Sequence, residues 1–236
     1  MSKKLTFDKY QKRAPDYHWQ QISRNAFRFN AYVAARYQPV VKLVPRRRNL
    51  RILDVGCGDG VLLSLIGRGQ LYGVDPDQDS LEYAAGKVAA KLVKASAESL
   101  PFKSGFFDVV IATEIIEHLR QPEKLLGEAA RVLKRGGRLI LTTPVKSTGL
   151  ADQLHVQEFT PPELVKLCRR YFNRVKINTS HPLWLKKIYT ASLGQIGRYH
   201  LDLGRWLINL LVLVSGWNPF IGLPGQSTQQ LAVCQK

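Results

Sequence analysis

The sequence predicts an α/β fold, a mostly parallel sheet with helices on both faces, and three observations carry that prediction. Short β-prone runs alternate with helical patterns from about residue 50 onward. The first run, Leu50 to Leu53, ends in Asp54 and passes into Gly56-Cys57-Gly58-Asp59-Gly60, with glycine at every second position. Glycine has no Cβ, so this turn can adopt positive φ and bring backbone close to a ligand. Nineteen residues beyond Gly56, Tyr72-Gly73-Val74-Asp75 closes a second strand on a carboxylate, where sheets of this kind place an acid that accepts ribose hydroxyls. The glycine spacing is shorter than the dinucleotide fingerprint and carries no Gly-Lys-Ser/Thr phosphate cradle. Turn and acid together indicate a bound nucleoside.

The elements follow in order. Trp19, Ile22, Ala26, Phe29 and Val33 recur at three- and four-residue steps, with Arg24, Arg28 and Arg36 elsewhere, which predicts one amphipathic helix from Tyr17 to about Tyr37, stopped near Pro39. Arg46-Arg47-Arg48 makes a basic turn before the first core strand. Helices are expected from Val61, over Ser80 to Lys91 and over Pro122 to Leu133. Strands are expected at 71–74, 92–94 and 109–112, and at 138–143 after the Gly136-Gly137 turn. Thr160-Pro161-Pro162-Glu163 reads as an N-cap and first turn of a helix to about Tyr171. Strands Arg174 to Asn178 and Gln229 to Cys234 complete seven.

At 236 residues the chain suits one α/β domain with decorations: a helical arm over 1–48, the α/β domain over 49–236, and within it an insertion at about 182–226. The net charge is +17, and residues 1–51 hold thirteen Lys and Arg against two acidic residues. Such a patch favours an anionic partner, nucleic acid or an acidic membrane surface, or is simply a solvated basic face. Cys57, Cys168 and Cys234 are widely spaced with no C-x-x-C pair and read as reduced thiols of a cytoplasmic protein. Met1-Ser2-Lys3-Lys4 leads into polar residues, so no secretory signal is expected.

Four segments, Leu53 to Gly60, Val74-Asp75-Pro76-Asp77, Ala95 to Phe102 and Phe107-Asp108-Val109-Val110, resemble in order and spacing the successive motifs of class I S-adenosylmethionine-dependent methyltransferases. The resemblance covers roughly residues 50 to 180 and the last strand. It implies a Rossmann-like seven-stranded sheet with the last strand antiparallel between the fifth and sixth, and an N-terminal arm lying across the cofactor. It also implies S-adenosylmethionine as cofactor, held by Asp54, Gly56, Cys57, Gly58 and Gly60 under the methionine, Asp75 and Pro76 at the ribose, Ser96 and Ala97 at the adenine, and Glu114. Ser96 stands where family members commonly carry an adenine-binding Asp.

Acceptor chemistry is expected after the fourth strand, in Thr113-Glu114-Ile115-Ile116-Glu117-His118-Leu119. If this segment opens a helix, Glu114, Glu117 and His118 share one face. A second histidine follows in Leu154-His155-Val156-Gln157-Glu158. This arrangement is similar to the O-methyltransferases of ubiquinone biosynthesis and to the enzymes that methylate the 2′-hydroxyl at small-RNA 3′ ends, in which these side chains hold a divalent cation. By that resemblance Glu114, Glu117, His118 and His155 form a candidate site for a cation such as Mg²⁺, which would lower the pKa of an acceptor hydroxyl. The alternative is a metal-free site with His118 and Glu117 as the catalytic pair.

Leu203, Trp206, Leu207, Leu210, Leu211 and Val214 keep helical spacing, but Ile208, Val212 and Leu213 make the other face apolar too. The run is cut by Asn209 and ended by Gly216-Trp217-Asn218-Pro219, short of the ~20 apolar residues of a membrane span. A lid packed over an apolar acceptor pocket is expected, with an in-plane membrane contact assisted by Lys186, Lys187, Arg198 and Arg205 as the alternative. The expected function is methyl transfer to oxygen of a small or lipid-like acceptor such as a polyprenyl phenol. RNA 2′-O-methylation, and a non-catalytic S-adenosylmethionine-binding partner protein, are the rivals.

Overall fold

Ile52, Leu53, Asp54 and Val55 are all buried, as in a strand covered on both faces, which reads as a continuous run and not as an alternation. This strand, β1 (Arg51–Val55), lies between β2 (Gln70–Asp75) and β4 (Phe107–Thr113), both parallel to it. β3 (Lys91–Lys94) pairs parallel outside β2, and β5 (Leu133–Pro144) parallel outside β4. β7 (Ser227–Gln235) runs antiparallel between β5 and β6 (Arg174–Pro182), completing a seven-stranded sheet in the order β3-β2-β1-β4-β5-β7-β6. The expected Rossmann-like, mostly parallel sheet is what the chain forms. Strand order reverses between β1 and β4, which opens a ligand crevice beyond their carboxyl ends.

The computed structural model describes residues 16–23, 29–47, 49–146, 155–192, 195–196, 199–200 and 202–236. Met1 to Lys4, Arg24, Ala26, Arg28, Arg48, Leu154 and Arg198 lie outside the described residues.

The arm is two helices where the sequence predicts one. After α1 (Tyr17–Ile22), α2 spans Ala31–Leu43. Asn30 accepts the Val33 amide at 3.1 Å and so caps a fresh helix. The buried stripe of α2 is Ala31, Ala34 and Ala35, with Val33 only partly covered. The helix also runs through Pro39. Proline removes one N–H, but Val40 and Val44 are buried against the sheet beyond it and carry the helix on.

Helices flank both sheet faces. Residues of α2 and α3 (Val61–Ile66) pack on Ile52, Val109, Ile111 and Ile140. On the other face α5 (Pro122–Val132) and α6 (Pro161–Cys168) set Leu125, Leu126, Val132, Leu164 and Cys168 against Val110, Leu139 and Leu141. α4 (Gln78–Ala85) stops at Gly86, six residues short of expectation on the 80–91 pattern. α6 opens on a capping box: Thr160 accepts the Glu163 amide and Glu163 accepts the Thr160 amide. β5 begins at Leu133, earlier than expected, because the Gly136-Gly137 turn is absorbed into the strand with Gly136 at φ 77°.

The insertion holds α7 (Leu183–Thr190), α8 (Leu203–Ser215) and α9 (Pro219–Gly222). α8 packs one of its two apolar faces, Ile208, Val212 and Leu213, on the core and leaves the other outward. It buries Asn209 and Val212, and exposes Leu203, Trp206, Leu207, Leu210, Leu211 and Val214. Asn209 sets this rotation: its amide donates to the Phe29 carbonyl at 2.8 Å and accepts the Ala31 amide at 3.0 Å and the Tyr189 hydroxyl at 2.8 Å. A buried amide left without those partners would be costly, so Asn209 faces in together with Val212, Ile208 and Leu213, which pack on the core. Among the described residues no helix is long and apolar enough to cross a membrane.

Candidate active site

The glycine turn is stitched to the end of β2. Gly56 and Cys57 donate to the Val74 carbonyl at 2.8 and 3.0 Å, and the Gly58 amide donates to Asp75 Oδ2 at 2.9 Å. Asp75 Oδ1 accepts the Asp77 amide at 2.9 Å, just past Pro76. All three loop glycines have positive φ, but their surroundings differ. A Cβ on Gly56 would come within 2.5 Å of Ile115 Cγ2, and one on Gly60 within 3.0 Å of Ala84, whereas one on Gly58 would meet nothing within 4 Å. Gly58 therefore borders open space. Cys57 Sγ lies beneath Gly73, and burial, with Asp54 and Asp75 nearby, pushes its thiol pKa up. Cys57 offers the loop backbone and no nucleophile.

Asp54 is buried and its Oδ1 has no hydrogen-bond partner. Burial first, then Asp75 and Asp59, holds its carboxyl well above the ordinary carboxylate range. Three acids thus crowd one loop. The arm reaches the same loop, with Trp19 Nε1 donating to the Asp59 carbonyl at 2.9 Å and His18 Nδ1 3.0 Å from Asp59 Oδ2.

Across the crevice the segment after β4 is not the helix that would put Glu114, Glu117 and His118 on one face. Glu114 sits at φ 56°, a conformation L-residues adopt at a cost, and a single 3₁₀ turn follows at Ile116–His118. Glu114 accordingly turns away, accepting from Thr142 Oγ1 at 3.0 Å and Gln229 Nε2 at 3.1 Å, with Arg36 Nη1 3.4 Å distant. Glu117, 1% exposed, accepts from Thr143 Oγ1 at 2.8 Å. Burial, then the Glu114 carboxylate, raises its pKa. The Glu117 carbonyl accepts the Val156 and Gln157 amides, which brings His155 over the turn. The His118 and His155 rings lie 5.2 Å apart, and one ligand atom each from Glu117, His118 and His155 fall within 4.8 Å of one another. His155 Nδ1 donates to Glu158 Oε1 at 2.7 Å, leaving Nε2 as the ring's lone-pair nitrogen. Three of the four expected ligand residues converge, and Glu114 stands apart.

A family model described as a methyltransferase domain matches residues 53–141, which holds both halves of this crevice. The chain carries a methyltransferase domain over these residues, and a probable S-adenosylmethionine-dependent methyltransferase of Mycobacterium tuberculosis is 29% identical over 147 residues, covering 58% of this chain and 53% of that protein. An uncharacterized methyltransferase of Mycolicibacterium gilvum is 37% identical over 103 residues, covering 42% of this chain and 40% of that protein. The rat mitochondrial ubiquinone biosynthesis O-methyltransferase is 33% identical over 109 residues, covering 42% of this chain and 32% of the relative. The chain thus matches less than half the length of the Mycolicibacterium gilvum and rat relatives. In fold it is similar to Haemonchus contortus phosphoethanolamine N-methyltransferase 2 (TM-score 0.67, 16% identity, covering 98% of this chain and 60% of that one). A methyltransferase from Archaeoglobus fulgidus is also similar (TM-score 0.60, 22% identity, 93% and 99% covered).

S-adenosylmethionine, the cofactor of such domains, fits this cradle. S-adenosylmethionine is a sulfonium and an ammonium, and three carboxylates with one orphaned oxygen are a setting that a cation relieves. Asp75 already has both oxygens oriented by backbone amides, and Ser96, beyond β3, accepts the Glu98 amide at 3.1 Å while keeping its own proton to donate. Ala97 packs on the core beside it.

Sequence reasoning missed Tyr32 and Arg36 of α2, Thr143, and His181, which lies at φ 61°. His181 Nε2 donates to the Tyr32 carbonyl at 3.0 Å, and the Ser180 hydroxyl donates to its Nδ1 at 2.8 Å. The four-residue step from Tyr32 to Arg36 was the available signal, since it puts a phenol and a guanidinium on one helix face.

Proposed function

We propose that this protein transfers the methyl group of S-adenosylmethionine to an oxygen of a small or lipid-like acceptor such as a polyprenyl phenol. The observation that carries the reading is the approach of the Glu117, His118 and His155 ligand atoms within 4.8 Å, one turn beyond Ile115, which packs against Gly56 of the donor loop. The donor supplies an electrophilic methyl carbon; the chain must supply an aligned, deprotonated acceptor. Gly58 and Asp75 hold the nucleoside, Ser96 and Ala97 border the adenine, and Asp54 faces the cationic end. In the metal-free site the Glu117–His118 pair takes up the single acceptor proton. The resemblance of the chain to the rat O-methyltransferase favours oxygen.

A divalent cation would be held by Glu117, His118 and His155, with the Glu158–His155 pair orienting one ring; this set suits Mn²⁺, Fe²⁺ or Zn²⁺, and Mg²⁺ only with waters added. Bound there, it would lower the pKa of an acceptor hydroxyl. The outward apolar face of α8, with exposed Lys187 on adjoining α7, supports delivery of the acceptor from an anionic membrane surface.

The test is transfer of radiolabelled methyl groups to a polyprenyl catechol, with and without chelator, in wild type and Glu117→Gln. Label in the catechol that Glu117→Gln abolishes is expected. Label appearing in RNA and not in the catechol overturns the acceptor, and undiminished turnover in chelator removes the cation.

A further inference from the structure

The carboxylates of Glu114 and Glu117 are held by consecutive residues of β5. Thr142 Oγ1 donates to Glu114 Oε1 at 3.0 Å, and Thr143 Oγ1 to Glu117 Oε2 at 2.8 Å. Neighbouring residues of a strand point to opposite faces of the sheet. Ile140, which shares a face with Thr142, packs with residues of α2 and α3, whereas Leu139 and Leu141, which share a face with Thr143, pack with those of α5 and α6. Glu114 is therefore anchored on the α2 face and Glu117 on the α5 face, and between them the chain crosses the carboxyl edge of the sheet.

The crossing begins at Glu114 itself. Its φ of 56° is a left-handed conformation that costs any residue with a Cβ, while its amide donates to the Thr142 carbonyl at 3.0 Å. One residue on, Ile115 covers the donor loop so closely that a Cβ on Gly56 would come within 2.5 Å of its Cγ2. A glutamate has no preference for such a bend, which glycine or asparagine takes more readily. The hold comes from the far end of its side chain. Besides Thr142, Gln229 Nε2 of β7 donates to Glu114 Oε2 at 3.1 Å, and Arg36 Nη1 of α2 lies 3.4 Å from the same oxygen. Thr142 and Gln229 are buried, and the Glu114 side chain keeps only 16% of its surface accessible. Two hydrogen bonds and an ion pair converging on one shielded carboxylate outweigh the cost of one left-handed residue.

We infer that Glu114 is a positioning residue: its carboxylate, gripped by Arg36, Thr142 and Gln229, fixes the bend that lays Ile115 against Gly56 and so shapes the loop that receives S-adenosylmethionine. In this role Glu114 acts through its backbone and not as a ligand, and Arg36 serves the donor site from the arm by acting through Glu114. The inference rests on the methyltransferase reading for the identity of the donor, and not for the bend.

Calorimetric titration of the full chain with S-adenosylhomocysteine tests this in two double variants, Arg36→Gln with Glu114→Ala and Arg36→Gln with Glu114→Gly. Both remove the ion pair whole, so neither leaves a charge there unpaired, and they differ only in the Cβ at position 114. Alanine keeps the cost of the left-handed bend and has lost the grip that offset it, so affinity should fall roughly tenfold. Glycine takes positive φ about as readily as negative and should recover most of that loss. Thr142→Val, close to threonine in shape and remote from any charge change, should weaken binding severalfold in the wild type and leave it unaltered once residue 114 is glycine. An alanine variant that binds like wild type overturns the inference, because the bend then needs no hold. Alanine and glycine variants that bind equally weakly also overturn it, because the Glu114 carboxylate then meets the ligand directly. No binding of S-adenosylhomocysteine by the wild type strikes the methyltransferase reading instead.

Discussion

The Gly58 amide donates to Asp75 Oδ2 at 2.9 Å, which ties the glycine turn to the carboxylate at the end of β2. Gly58 and Gly56 should therefore fail differently when replaced. Gly58→Ala places a methyl group in open space at φ 47°, costing about 1 kcal/mol of backbone strain, and should fold while losing affinity for S-adenosylhomocysteine. Gly56→Ala drives Cβ to 2.5 Å from Ile115 Cγ2 at φ 74°, and should cost roughly 2–4 kcal/mol of stability as well. Calorimetric affinity and urea midpoints separate the two; equal midpoints would show that Ile115 yields freely.

Glu117→Gln keeps the shape of the side chain and its contact with Thr143 but removes the proton acceptor. Turnover should fall by roughly 10²–10⁴, with S-adenosylhomocysteine binding unchanged. Stability should hold or rise, because burial penalises the Glu117 charge. A variant that retains near-wild-type turnover would pass the base role to His118 alone.

Asn209 ties the insertion to the arm through Phe29, Ala31 and Tyr189. Asn209→Leu would leave the Phe29 carbonyl without that donor and remove an acceptor from the Ala31 amide, costing about 2–4 kcal/mol. Tyr189→Phe, which leaves Asn209 bonded to Phe29 and Ala31, should cost about 1 kcal/mol. Equilibrium urea unfolding of both variants provides the comparison.

His181 gives a pH signature. Burial, then Arg36, lowers its pKa from 6.5 to about 3. Between those values the unfolded chain binds a proton that the folded chain refuses. Its contribution is thus intact above pH 6.5 and declines as pH falls toward 3, by up to about 1.4 kcal/mol per pH unit. His181→Asn tolerates the positive φ and cannot titrate. The gap in unfolding free energy between wild type and variant should narrow from pH 7 to pH 5; a constant gap would mean that His181 is not kept neutral.

The sheet was legible because its signals are local: Asp54 to Gly60 and Tyr72 to Asp75 each state a strand, a turn and an acid within a few residues. Seven strands and the edge on which the motifs fall follow from that alternation. The site was legible only in part. Glu117, His118 and His155 converge as the resemblance implied, but Glu114 does not, because its contacts with Arg36 and Gln229 come from the arm and the last strand, and no local pattern announces partners 78 and 115 residues away. The arm was misread for a related reason. Asn30 falls inside the periodic pattern, yet its side chain caps a new helix. The rotation of α8 was not legible because both its faces are apolar, and only the partners of Asn209 on the arm and α7 set which one faces in.

The outward face of α8 is apolar and bordered by indole rings. α8 turns Leu207, Leu210 and Val214 outward, the last 79% exposed, with Trp184, Trp206 and Trp217 also exposed. The helix contains no acidic residue, while Lys187 is exposed on α7. Indole rings and basic side chains bordering an apolar strip suit the headgroup boundary of a bilayer. Replacing Leu207, Leu210 and Val214 together with serine removes apolar area worth on the order of 1–2 kcal/mol per residue in lipid contact, and touches none of the partners of Asn209. Wild type should float with phosphatidylglycerol vesicles and the triple variant should remain at the bottom of the gradient, with unchanged thermal unfolding. Raising salt should weaken flotation of the wild type only partly, because screening acts on the basic residues and not on the leucines. Equal flotation of both proteins would place the contact elsewhere, and no flotation of either would mean that this face meets something other than lipid.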